Sequence, residues 1–192
     1  MENNQNKTTP KLFDNLNLLV IAVITIIIIL VVVIANNSHN SKSTKTTSSP
    51  STSHAAPSAP AGLSLSPASQ NVPVGSTLSI EIWEDSGGQK VNAVEVNLSY
   101  PADKLNFTSV DSSSSAFKVD VQATGSNGKV TIAKGSASPI SGKQQVAKVN
   151  FSGLANSGQA SISFENGTAL VGYTNHSNIV TSTSGGSYTL TQ

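Results

Sequence analysis

From about Gly62 to the C-terminus, apolar residues return at every second position in short runs. Leu78, Ile80 and Ile82 alternate with Thr77, Ser79 and Glu81, and Val94, Val96, Leu98 and Tyr100 alternate with Glu95, Asn97 and Ser99. Phe117, Val119 and Val121 alternate with Lys118, Asp120 and Gln122, and shorter runs follow at 130–132, 147–151, 160–164 and 188–191. A period of two sends one set of side chains to one face of a strand and the rest to the other. Turn formers separate the runs: Asp85-Ser86-Gly87-Gly88, Gly125-Ser126-Asn127-Gly128, Ser157-Gly158 and Gly185-Gly186. No stretch in this region keeps a helical period. The pattern predicts an all-β domain over residues 62–192, a sandwich of eight or nine strands around one core.

The first sixty residues read differently. Residues 18–35 are apolar except Thr25. Eighteen residues at ~1.5 Å each span about 27 Å, close to the ~30 Å hydrocarbon layer of a bilayer. A cleaved signal peptide has a shorter apolar core and a small-residue cleavage motif; here Ala35-Asn36-Asn37 follows instead. The expectation is one transmembrane helix at 16–35, preceded by a short cytoplasmic tail at 1–15. Lys7, Lys11 and the α-amino group on the near side, against Lys42 and Lys45 beyond, favour a single-pass protein with its C-terminal domain extracellular. Between residues 38 and 60, twelve of 23 residues are Ser or Thr and three are Pro. Such a segment has too little to bury to offset its ordering entropy, so residues 36–61 are expected to form a flexible stalk.

Composition narrows the chemistry. Charged residues make up 11% of the chain, the formal net charge is +1 and every basic residue is Lys, which argues against nucleic-acid binding. Cysteine is absent, which removes disulfides, thiolate metal sites and cysteine nucleophiles. Of the three histidines, His39 and His54 fall in the stalk and His176 in a polar turn, without the partners of a catalytic or metal constellation. Glu84-Asp85 reads as a solvated hairpin turn more readily than as a cation site. The expectation is a non-enzymatic module with no metal and no cofactor.

Several segments carry a family resemblance. They are Val74-Gly75-Ser76-Thr77-Leu78-Ser79-Ile80, the stretch from Val91 through Tyr100-Pro101-Ala102-Asp103-Lys104-Leu105, Gly128-Lys129-Val130-Thr131-Ile132 and Val146-Ala147-Lys148-Val149-Asn150-Phe151. In order and spacing this chain resembles a cohesin-type module, of the same sandwich superfamily as certain carbohydrate-binding modules. Where that family reads Tyr-Asp-Pro, this chain has Tyr100-Pro101-Ala102-Asp103.

The resemblance implies a nine-stranded jelly-roll sandwich. It also implies capture of a protein partner in trans: a dockerin-like, calcium-loaded domain, held on one flat sheet face. The strands at 91–100, 117–122, 129–133 and 146–151 would build that face. Its outward residues would be Glu95, Asn97, Lys118, Asp120, Lys129, Thr131, Lys148 and Asn150. Two other functions compete. Trp83 is out of phase with Ile80 and Ile82 and so faces outward, the one candidate for stacking on a sugar ring in a polysaccharide-binding module. A structural or adhesion subunit is the third reading.

Overall fold

The computed structural model describes residues 59–154 and 157–192. The expected cytoplasmic tail, membrane helix and nearly all of the expected stalk lie outside them. Among the described residues no helix is long and apolar enough to cross a membrane.

Among the described residues the domain is a two-sheet β-sandwich of twelve strands rather than nine. In chain order they are β1 Ala61–Ser66, β2 Ser69–Pro73, β3 Thr77–Asp85, β4 Val91–Ser99, β5 Leu105–Asp111, β6 Val119–Ser126, β7 Lys129–Ile140, β8 Lys143–Gly153, β9 Gly158–Phe164, β10 Ala169–Gly172, β11 Val180–Ser184 and β12 Gly186–Thr191. One sheet has the order β11-β1-β3-β8-β5; the other runs β2-β12-β9-β4-β7-β6, with β10 also paired to β4. The additional strands include β2 (SQNVP) and β11 (VTSTS), which lie at sheet edges, and the four-residue β10. An edge strand with little to bury needs no apolar alternation, so periodicity alone does not reveal it.

The core forms where the alternating residues of the two sheets meet. Leu78, Ile80 and Ile82 of β3 and Val149 and Phe151 of β8 face Val94, Val96 and Leu98 of β4 and Val130 and Ile132 of β7 in one buried cluster. Each such side chain contributes about 1.5–3 kcal/mol when removed from water. Phe151 packs edge-on against Tyr100 and Phe107, with ring centres 5.0 and 6.2 Å apart. Phe107 is itself packed over Gly125 so closely that a methyl group there would meet its ring at 2.4 Å.

The β6–β7 hairpin bears directly on the site. Asn127 and Gly128 both have positive φ, 51° and 80°. A two-residue turn of this kind matches the twist of its flanking strands and fixes their pairing, and Ser126 pairs with Lys129 across it.

Candidate functional site

The outer face of the β4-β7-β6 sheet follows from that register. Asn97 of β4 lies opposite Thr131 of β7, which lies opposite Thr124 of β6. The adjacent rungs are Ser99–Lys129–Ser126 on one side and Glu95–Ala133–Gln122 on the other. The next is Ala93–Gly135–Val119, extended onto β10 by Val171 opposite Ala93. One end of the face is therefore polar, while its far row is Val171-Ala93-Gly135-Val119, wholly apolar. Val119 is 46% exposed and Val121 37%, the exposed large hydrophobics among the described residues.

Hydrogen bonds fix the polar part. The Asn97 amide donates from Nδ2 to Glu95 Oε1 at 3.2 Å, and its Oδ1 accepts from Thr131 Oγ1 at 3.1 Å. Lys129 Nζ donates to Glu165 Oε2 at 3.0 Å, just beyond β9. Thr168 Oγ1 accepts from the Asn97 backbone N–H at 3.1 Å, tying the turn after β9 to β4. Side chains held this way keep a fixed donor–acceptor pattern toward solvent, which suits specific recognition more than bulk affinity.

Four of the eight expected contact residues, Glu95, Asn97, Lys129 and Thr131, come together here. The other four do not join them on one flat face. Lys148 and Asn150 belong to β8, a strand of the opposite sheet. There Lys148 lies cross-strand from Glu81, and Asn150 bonds Ser79 at 2.7 Å and Ser109 at 3.0 Å. The sandwich core, about 10 Å thick, separates them from the β4-β7-β6 face. Alternation tells inside from outside but not which sheet a strand joins. Asp120 is cross-strand from Lys134, and its carboxylate takes the ammonium of that fully buried lysine. Lys118 is exposed but precedes β6 rather than standing on it.

The same region holds what the alternation misses. A period carried on from Phe117 points Val119 and Val121 inward, and the structure leaves both exposed. Phe117 is buried, but it reaches the core from a loop rather than from the strand. That loop is locked by a bond from the Ala116 N–H to the Gln145 carbonyl at 3.0 Å and by two bonds, each 3.1 Å, between Ser115 Oγ and the Phe117 backbone. The strand starts afresh at Val119, and a bulge between Asp120 and Gln122 shifts the phase once more.

Trp83 does face outward, on the opposite sheet. Its Nε1 donates to Glu81 Oε2 at 3.1 Å, and Lys143 Nζ stands 5.3 Å from the ring centre. Glu84 and Asp85 point to opposite sides of β3: Asp85 Oδ1 accepts from the Gly87 N–H at 3.0 Å, while the Glu84 side chain is buried. Neither Glu84 carboxyl oxygen has a hydrogen-bond partner among the described residues. Burial, with Asp85 adding to it, pushes this carboxyl up to about 8. The bond from Lys134 holds the Asp120 carboxyl below its usual range. Among the described residues no three His, Asp or Glu side chains gather to hold a metal ion.

A family model for the cohesin domain matches residues 63–190. No curated protein matches the chain. Among solved structures, CaCohA2 of Clostridium acetobutylicum, in complex with a variant of CaDoc0917, is 19% identical with a TM-score of 0.59, over 68% of this chain and 99% of that one. A non-cellulosomal cohesin of the archaeon Archaeoglobus fulgidus is 17% identical, with a TM-score of 0.58, over 70% and 93%. The third ScaB cohesin of Ruminococcus flavefaciens, in complex with a group 1 dockerin, is 16% identical, with a TM-score of 0.54, over 72% and 99%. At these identities the likeness speaks for the fold alone.

Proposed function

The chain belongs to the cohesin-domain family, and from that premise we propose that it captures a dockerin-type protein partner on the outer face of β4, β7 and β6. The observation that carries this reading is the coincidence of two features on one face. The apolar row ending at Val119, with Val121 beside it, supplies surface worth desolvating. The Glu95–Asn97–Thr131 network beside it supplies fixed polar groups that orient what docks. The partner is a calcium-loaded helical domain, as the family implies, and the calcium belongs to that partner.

The test is retention of a dockerin module on the full chain in calcium, followed by a chelator wash. Capture in calcium and release by chelator are expected, with Glu95→Arg abolishing retention. A partner that stays bound through the wash, or is retained equally by Glu95→Arg, sinks the reading.

Surface display belongs to the same proposal. It rests on the 18 residues at 18–35, with Thr25 the one polar member, and on the Ser/Thr-rich segment that follows. The expected outcome is a protein extracted from membranes by detergent but not by alkaline carbonate, with its domain open to added protease in intact cells. Recovery in the carbonate-soluble fraction contradicts it.

A further inference from the structure

The outer surface of the opposite sheet holds a cleft of about 290 Å³ where β11, β1 and β3 meet. Its lining includes Gly62 and Ser64 of β1, Asp85 at the end of β3, Lys143 and the edge-strand hydroxyls Ser182 and Ser184. Gly62 lets β1 and β11 approach so closely that a Cβ there would meet Ser182 Oγ at 2.7 Å. Pairing is irregular on both sides of the cleft, between Ala61 and Gly62 and between Ile82 and Trp83. Such irregularities re-aim side chains next to binding sites.

Trp83 flanks this cleft. It is the cross-strand partner of Ser64, and the Lys143 that lines the cleft also lies over its indole. The bond from Nε1 to Glu81 fixes the plane of the ring before anything binds. Hydroxyls, Asp85 and Lys143, with Glu84 buried in the wall and its carboxyl pushed up to about 8, form a hydrogen-bonding surface of little net charge beside a partly buried indole that offers one flat π-face. The opposite charges of Asp85 and Lys143 disfavour a polyanion or a polycation alike. The volume sits just below the ~300–1,000 Å³ usual for small-molecule sites, enough for a ring-sized unit and too small for a protein loop.

We propose that this cleft binds a sugar unit of a neutral polysaccharide, with Trp83 as the stacking surface and Ser64, Ser182, Ser184 and Asp85 as hydrogen-bonding partners. The exposed Lys143 side chain swings off the indole as the sugar arrives, giving up a weak, solvent-exposed cation–π contact. The site is independent of the proposed partner face, which lies on the other sheet, so the module holds a glycan with one face and a protein with the other.

Trp83 is the one tryptophan in the chain, which makes its emission a direct reporter. The full chain is titrated with cellohexaose, maltohexaose and N-acetylated chitohexaose at millimolar concentration. A saturable change in tryptophan emission with at least one of them, matched by calorimetric heat, is expected. By calorimetry, Trp83→Ala and Ser184→Tyr, which fills the cleft from an exposed edge position, should each lower affinity at least about tenfold, or ~1.4 kcal/mol. Glu95→Arg should leave the titration unchanged, which separates this site from the partner face. Silence in emission and heat with all three sugars, or unchanged binding by Ser184→Tyr, overturns the proposal.

Discussion

A carboxyl buried without a hydrogen-bond partner costs free energy whichever protonation state it holds, and more when ionised. Glu84 is such a group, and its folded-state value near 8 stands above the ordinary 4.5. The folded protein therefore keeps a proton that the unfolded chain releases over this interval. The penalty from this group is smallest below about pH 4.5 and grows as pH rises toward 8. Glu84→Met removes both the buried charge and the unpartnered oxygens. Urea denaturation at pH 8 should show it about 1–3 kcal/mol more stable than the parent, with the difference shrinking toward pH 5. A variant that loses stability equally at both pH values contradicts this. The Asp120–Lys134 pair has the opposite asymmetry: the lysine is buried and the aspartate largely open. Removing the aspartate strands a buried ammonium, so Asp120→Ala should cost about 3 kcal/mol, the lower end for breaking such a pair because the aspartate itself is open to water. Lys134→Met should cost less, because it leaves no buried charge. The reverse order in chemical denaturation would contradict this assignment.

At the scale of the element, what the sequence made legible depended on where each strand lies. β4 and β7 are central, their buried residues alternate cleanly, and the Asn127-Gly128 turn fixes the register of β7, so Glu95, Asn97, Lys129 and Thr131 fall on one face. β6 has one neighbour in its sheet and little to bury, so nothing forces its phase to continue from Phe117. The loop at 112–118 and the bulge at Val121 reset it, leaving two valines exposed where alternation points them in. β8 alternates as cleanly as β4, and its outward residues are indeed outward, but on the other sheet. Periodicity is a property of one strand, whereas sheet membership depends on long-range pairing that no local pattern records. The short, polar β2 and the hydroxyl-rich β11 escape notice for the related reason that edges are held by backbone bonds more than by buried side chains. The cleft beside Trp83 depends on β11, so Trp83 could be singled out from the sequence but its surroundings could not.

On the scale of the whole molecule, the two proposed sites lie on different sheets. The chain enters the domain through β1, in the same sheet as Trp83, and the proposed partner face is the outer surface of the other sheet. The strand through which the domain is joined to the preceding chain is therefore not one that the protein partner covers. The most direct test of this division compares the affinity of a calcium-loaded dockerin module for the full chain and three variants, by calorimetry. Val121→Asp and Glu95→Arg, on the β4-β7-β6 sheet, should each weaken binding at least about tenfold, or ~1.4 kcal/mol, and Lys148→Glu on β8 should leave it unchanged. Loss of affinity in Lys148→Glu with full binding by Val121→Asp would place the partner on the other sheet and contradict the account.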